Sequence, residues 1–244
     1  MSGSTVSADG DDVAFHGQVR DLAGGAEVEL VWRNELGGLT FRTLGEARGR
    51  YIKWQPTAGL TAAQCGDVDL VREAEKLRWA GCYVPVPRVI DCGATVDGLW
   101  LVTAAIDATS AVDPRWRDRP ETAVRAIATG LRRLHDTLPV DECRYRDTWI
   151  PPGTRTPEPD RLVVCHGDPC VPNTLLDNEG QFTAHVDFSR LGVADRWADL
   201  AIATASISWD FNFGGNYDEL FFEAYGVAPD AERIRFYREL WDAP

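Results

Sequence analysis

The stretch Cys165-His166-Gly167-Asp168-Pro169-Cys170-Val171-Pro172-Asn173, with His185-Val186-Asp187-Phe188-Ser189-Arg190 close behind it, decides how this chain is read. The apolar run Leu162 to Cys165 has the length and composition of a buried strand, and it delivers His166-Gly167-Asp168 at its end. Two prolines stiffen the loop until Asn173, five residues after the aspartate, and a second β run, Phe182 to Phe188, delivers Asp187. Phosphoryl transfer needs a carboxylate that orients a hydroxyl or takes its proton, and oxygen ligands for magnesium. A lone His-Gly-Asp is usually a turn, and a lone Asp-Phe-Ser carries no meaning. Two strand-terminal aspartates with an asparagine at this offset and a rigid loop between them are a much rarer combination. Asp168 is therefore expected at a reaction centre, with Asn173 and Asp187 as metal ligands.

The D-x-x-x-x-N spacing with a later D-F-x is that of a kinase catalytic loop and its metal aspartate. A kinase also needs a lysine on the nucleotide phosphates and a carboxylate to fix it. Of the 25 basic residues only Lys53 and Lys76 are lysine, and Lys53 lies inside the strand pattern Tyr51-Ile52-Lys53-Trp54. The commoner fate of such a lysine is a strand edge with its head in water. Beside the downstream loop, the functional reading is preferred, with Glu73 of the following helix as partner and Glu75 as the rival. The segment Asn34 to Thr40, with Gly37-Gly38 at its centre, could cover phosphates through backbone N–H groups or be a plain hairpin turn. A Walker loop, a Rossmann fingerprint and a G-x-S-x-G elbow are all absent from the sequence.

Outward from this centre, the first third reads as strands at Glu27 to Arg33, Leu39 to Leu44 and Arg50 to Trp54, then a helix over Asp69 to Ala80. Strands at Arg88 to Cys92 and Leu99 to Ala104 follow the breaks at Pro85 and Pro87. After Ile106 the chain turns helical: Pro120 to Leu138 carries Val124, Ile127, Leu131 and Leu134 on one face, and Ala194 to Ser206, Tyr217 to Tyr225 and Asp230 to Trp241 follow. Asp141 to Pro159 is proline-rich and without periodicity. These elements predict an α+β bilobal plan: a tail over 1–12, a β-rich N-terminal nucleotide-binding lobe with its hinge over 13–105, and a mainly helical catalytic and substrate-binding lobe over 106–244. Such a plan places its cleft between the lobes.

Composition narrows the partners. A net charge of −13 argues against nucleic acid and is compatible with a cationic ligand. No stretch approaches eighteen apolar residues, so no membrane span is expected. Met1 to Asp12 is small, polar and acidic, without the basic start and apolar run of a signal peptide, and reads as a frayed tail on a cytoplasmic protein. The six cysteines contain no C-x-x-C pair and are read as reduced, mostly buried thiols, with no zinc spacing.

With Val186-Asp187-Phe188-Ser189-Arg190-Leu191-Gly192-Val193-Ala194-Asp195-Arg196-Trp197-Ala198-Asp199 added to the central loop, the sequence resembles the aminoglycoside phosphotransferases, in particular those acting on the 3′-hydroxyl of kanamycin-like drugs. The likeness extends to Val31 to Thr40, the Lys53 and Glu73 pair, and Tyr237 to Asp242. It implies a protein-kinase-like fold, ATP (or GTP) with two magnesium ions (Mg2+), and antibiotic inactivation. Carried over, Asp168 is catalytic, Asn173 and Asp187 hold metal, Lys53 meets phosphates, Glu73 holds Lys53, and the backbone from Thr103 to Ala105 meets adenine. Arg190, Glu239 and Asp242 would line the substrate side, Arg190 alternatively holding the catalytic aspartate. Asp195 and Asp199 are read as a helix cap and a helix-to-loop tie. The family's pair of helices between the Leu134 to Asp136 helix end and the His-Gly-Asp loop has no counterpart in Thr137 to Arg161, which carries five prolines. The usual acidic-aromatic terminus is also missing after Trp241. Both departures touch substrate choice, and keep open a cyclic peptide, a macrolide, another hydroxylated metabolite, or a non-catalytic drug-binding pseudokinase. A monomer or weak dimer is expected.

Overall fold

The computed structural model describes residues 12–146 and 148–243, so the tail read over 1–12 lies almost wholly outside the described residues. The chain divides into two compact units, Met1–Val71 with Val89–Ala105, and Arg72–Arg88 with Ile106–Pro244. Residues 72–88, expected in the first lobe, group instead with the second unit.

In the first unit, helix α1 (Asp12–Leu22), which the sequence pattern did not suggest, precedes a five-stranded antiparallel sheet. Its strands are β1 (Val28–Arg33), β2 (Leu39–Thr43), β3 (Arg50–Pro56), β4 (Val89–Ala94) and β5 (Gly98–Ala104), in the order β1-β2-β3-β5-β4. Ile52 and Trp54 of β3 point into a core of Val19, Ala23, Leu39, Phe41 and Val102. The two-residue period of a strand therefore sends Lys53 to the other face, between Thr40 of β2 and Leu101 of β5. Arg50 donates to the Leu22 and Ala23 carbonyls at 3.2 and 2.7 Å, placing a cation at the C-terminal end of α1, where the helix dipole favours it. The short helix α2 (Ala62–Asp67) starts with a capping box between Thr61 and Gln64.

Helix α3 (Leu70–Ala80) has all but its first two residues in the second unit. That unit continues with β6 (Thr109–Ser110), α4 (Pro114–Arg117) and α5 (Pro120–Thr137), whose buried face carries Val124, Ile127, Leu131 and Leu134 as the apolar period predicts. After an irregular stretch come β7 (Leu162–Cys165), β8 (Thr174–Leu176), β9 (Phe182–His185), β10 (Gly192–Asp195), α6 (Trp197–Ser208), α7 (Asp218–Tyr225) and α8 (Ala231–Trp241). Strand β7 pairs antiparallel with β10, and β6, β8 and β9 form a second small sheet. Helix α6 is buried almost all round, between its strands and α8.

Two expectations are corrected here. Ala194 and Asp195 belong to strand β10 and not to the helix, because β10 pairs across to β7 with Cys165 opposite Gly192. Asp195 is not the cap of α6: Arg196 holds that position without a side-chain cap. The Asp195 carboxylate instead takes the Arg233 guanidinium of α8 at 2.7 Å and the Arg161 N–H at 3.4 Å.

Candidate active site

Strand β7 ends at His166-Gly167-Asp168, and the loop's geometry is fixed from beneath by one buried carboxylate. Asp199, in the first turn of α6, accepts the His166 N–H at 2.6 Å and the Gly167 N–H at 3.0 Å, and its Oδ2 lies 2.9 Å from Nε2 of His135. Nδ1 of that histidine is in turn 2.8 Å from the Tyr225 hydroxyl. A buried carboxylate survives only with such compensation, and this is the helix-to-loop tie expected of Asp199. His135, Cys165 and Asp199 bring potential metal-ligating atoms within 4.8 Å of one another. Both His135 nitrogens and the Asp199 carboxylate are already hydrogen-bonded, so the group is a structural knot.

Asp168 sits on top of this knot. Its N–H donates to His166 Nδ1 at 3.2 Å, which leaves Nε2 of that ring to donate to the Val186 carbonyl at 3.0 Å. Its own carbonyl accepts from Nδ2 of Asn173 at 2.9 Å. Main chain and loop are thus locked, while one side-chain oxygen, Oδ1, is buried with no hydrogen-bond partner among the described residues. Burial raises the Asp168 pKa above the ordinary carboxylate value, and the nearby negative charge of Asp187 raises it further; the Cys170 thiol bonds the carboxylate and partly offsets this. An orphaned buried carboxylate oxygen, held close to a second carboxylate, is a costly arrangement for a purely structural residue.

Asn173 uses its amide nitrogen on Asp168, which leaves the amide oxygen, the atom type a hard cation takes. Asp187 follows β9 and has φ +65, the one positive φ at a non-glycine position among the described residues. The donor chemistry of Asn173, Asp187 and Asp168, all oxygen, fits magnesium. Phe188 is fully buried with its ring 4.8 Å from that of His166, so the two aspartate loops are packed on one another.

On the expected substrate side, Arg190 is exposed and its guanidinium carbon stands 5.2 Å from the Trp241 ring centroid. Its charge also acts to lower the Asp168 pKa, after the larger effects above. Trp241 lies 5.0 Å from Trp149, and Trp149 lies 6.2 Å from Tyr237. Arg190 and the end of α8 are therefore brought together. Asp242 is the exposed C-cap residue of α8, and Glu239 is exposed with its carboxylate 4.0 Å from Arg235. Between Thr137 and Leu162 no described residue is in a helix or strand, and Trp149 comes from this stretch. Sequence reasoning missed Trp149, Trp241, Tyr225 and His135; only His135 left a signal, a polar residue on the apolar side of α5.

Lys53 and Glu73 fall in different units and are described within each. Glu73 is 2% exposed, whereas its rival Glu75 is exposed and paired with Arg144 at 3.2 Å. Solvent and Arg144 thus account for Glu75, and burial leaves Glu73 as the carboxylate with a special environment. In the first unit Thr103 is buried in β5, and the Ala105 N–H is already committed to the Gly49 carbonyl at 2.8 Å. The Asn34 to Thr40 segment is a tight hairpin turn. Asn34 Oδ1 accepts the Leu36 and Gly38 N–H groups at 3.0 and 2.7 Å, and its carbonyl accepts from Gly37 at 3.2 Å. With those N–H groups turned inward, the plain-turn reading is the better one for this segment. A Cβ on Gly38 would stand 2.1 Å from Gln55 Oε1, so a side chain there would displace the Gln55 or Asn34 amide that packs on the turn.

A family profile described as "Phosphotransferase enzyme family" matches residues 148–237. The aminoglycoside 3′-phosphotransferase of Streptomyces fradiae is 35% identical over 230 residues, covering 78% of this chain and 84% of the relative. The chain belongs to the aminoglycoside phosphotransferase family. It is a phosphotransferase enzyme with the protein-kinase-like fold that the sequence implied. Among solved structures, an aminoglycoside 3′-phosphotransferase of type VIII superimposes with a TM-score of 0.77 at 27% identity, covering 94% of this chain and 97% of that one. The aminoglycoside phosphotransferase APH(3'')-Id of Streptomyces rimosus, in complex with ADP and streptomycin, superimposes with a TM-score of 0.71, also at 27% identity, over 95% and 98% of the two chains.

Proposed function

We propose that this phosphotransferase moves the γ-phosphoryl group of ATP (or GTP) onto a hydroxyl of an aminoglycoside, the 3′-hydroxyl, and so inactivates the drug. The observation that carries this is the Asp168 carboxylate: anchored on both sides through its main chain, yet with Oδ1 buried and without a hydrogen-bond partner among the described residues. A hydroxyl placed against that oxygen is oriented for in-line attack on the γ-phosphorus. The new O–P bond forms as the bridging P–O bond breaks, ADP leaves with the electron pair, and the hydroxyl proton passes to the Asp168 carboxylate. The raised Asp168 pKa makes the group a better proton acceptor than a solvated aspartate.

Asn173 and Asp187 would hold Mg2+, which supplies charge neutralisation on the phosphates when bound. Lys53 would meet the α- and β-phosphates with Glu73 as its support, and the main chain from Thr103 to Ala105 would face adenine, with the Ala105 N–H excluded by its bond to Gly49. Arg190, Glu239 and Asp242 would line the drug side, and a chain of net charge −13 favours a polycationic acceptor. The reaction would draw on the nucleotide pool of the cytoplasm. No described helix is long and apolar enough to cross a membrane.

A second reading changes the hydroxyl and keeps the chemistry. Equal identity, 27%, to a 3′-enzyme and to the relative crystallised with streptomycin supports a streptomycin-type acceptor nearly as well. A coupled ADP-release assay with ATP, Mg2+ and kanamycin, streptomycin or capreomycin separates the two. Drug-stimulated release with kanamycin is the expected outcome, release with streptomycin alone moves the acceptor to the second reading, and release with neither sinks the assignment to aminoglycosides.

A further inference from the structure

Of the two lysines in the chain, Lys76 is only 2% exposed. A buried ammonium is tolerated where bonds and nearby charge or π density compensate it. Lys76 lies in α3 three residues after Glu73, so the two share a helix face, and Glu73 is equally buried. Its Nζ donates to the carbonyl oxygen of Ser189 at 2.5 Å and stands 5.6 Å from the centroid of the Tyr145 ring. Tyr145 is itself buried, and its carbonyl accepts the N–H of Val193, just past the same loop, at 3.0 Å. Three segments therefore close around one ammonium: α3, the 187–190 turn and the irregular stretch before β7.

The bonded carbonyl is two residues from Asp187, whose φ of +65 is one that side chains rarely adopt. Such a conformation persists only when its surroundings over-determine it. Val186 donates to the Asn173 carbonyl at 3.0 Å, Val186 accepts from His166 Nε2 at 3.0 Å, and Phe188 packs on His166. All of these hold the turn from the His-Gly-Asp side. The Lys76 bond holds it from α3.

We propose that Lys76 is a positioning residue for the metal centre: its bond to the Ser189 carbonyl fixes the 187–190 turn against α3 and so sets the Asp187 carboxylate for a divalent cation. This rests on the reading of Asp187 as a metal ligand. The test uses the full chain as Lys76→Met, Lys76→Arg and Asp187→Ala, with Mn2+ as the probe. Mn2+ binding to the ADP complex is followed by electron paramagnetic resonance, and ADP binding without metal by calorimetry. Lys76→Met is expected to bind metal-free ADP as wild type does, yet to bind Mn2+ at least roughly tenfold more weakly, with Lys76→Arg recovering most of the loss. Wild-type Mn2+ affinity in Lys76→Met, beside a clear loss in Asp187→Ala, overturns the role of Lys76. Unchanged Mn2+ affinity in Asp187→Ala overturns the ligand assignment beneath it. Should Lys76→Met not fold, Lys76→Gln, whose shorter side chain withdraws the donor from the Ser189 carbonyl, is expected to show the same Mn2+ loss and is judged by the same two readouts.

Discussion

Between His166 and Asp168 stands a glycine that two separate constraints require. Gly167 has φ +85, and a Cβ there would lie 2.0 Å from the carbonyl oxygen of Arg190. The first constraint strains any side chain, and the second would push the Arg190 backbone away from the loop that carries Asp168. Gly167→Ala should therefore lower stability by about 1–3 kcal/mol. It should also reduce kcat by roughly tenfold or more, because displacement of the reacting groups by a fraction of an ångström is felt in the rate. Calorimetric unfolding beside steady-state kinetics checks both halves; a variant with wild-type melting temperature and kcat would mean that the close approach to Arg190 is immaterial. The same residue shows what sequence can carry: a glycine before an aspartate suggested a turn, but nothing in the string revealed that Arg190, far along the chain, presses on it.

Helix α5 shows how an element ties the loop to the rest of its unit. Its apolar period was legible to within a residue, since Val124, Ile127, Leu131 and Leu134 repeat at helical spacing. Its polar end was not. There Asp136 accepts from Arg132 at 2.5 Å and from Arg161, just ahead of β7, at 2.8 Å. Partial burial raises the Asp136 pKa, but the hydrogen bonds and charges of Arg132 and Arg161 outweigh it and leave the pKa lowered. A carboxyl with a depressed folded pKa contributes stability above its unfolded value, and that contribution is lost as pH falls through the folded pKa. Asp136→Asn should thus lower the unfolding free energy at pH 7 by a small amount, no more than about 1 kcal/mol given the exposure of the pair. The gap should narrow as pH falls below the unfolded aspartate value of about 3.9 and close once the pH is below the depressed folded value, where both states of the wild type are protonated. A gap that persists undiminished in acid would assign the loss to packing instead. Strand β10 marks the opposite limit. Gly192 to Asp195 is too short to show alternation, and its pairing with β7 is a long-range register that no local pattern encodes. Lys76 was passed over for a related reason, because a lysine on a helix is ordinarily solvated and only the Ser189 carbonyl opposite explains its burial.

At the scale of the molecule, the proposed chemistry draws on residues described separately in each unit. The first presents Lys53 on the face of its sheet opposite the apolar core, and the second holds Asp168, Asn173 and Asp187 on two loops packed through His166 and Phe188. The paired loops were legible because their residue spacing is set by short strands and a rigid turn. The expected substrate side was not, since the stretch carrying Trp149 has no period and reaches Trp241 only through tertiary packing. If Asp168 serves the acceptor hydroxyl and nothing else, nucleotide binding and turnover must come apart in one substitution. The decisive measurement is kcat of Asp168→Asn with kanamycin and streptomycin, beside ATP affinity in the same preparation. Turnover should fall by about a thousandfold while ATP affinity stays within roughly a factor of two. An Asp168→Asn enzyme that keeps more than about a tenth of wild-type kcat would contradict the placement of Asp168 at the reaction centre.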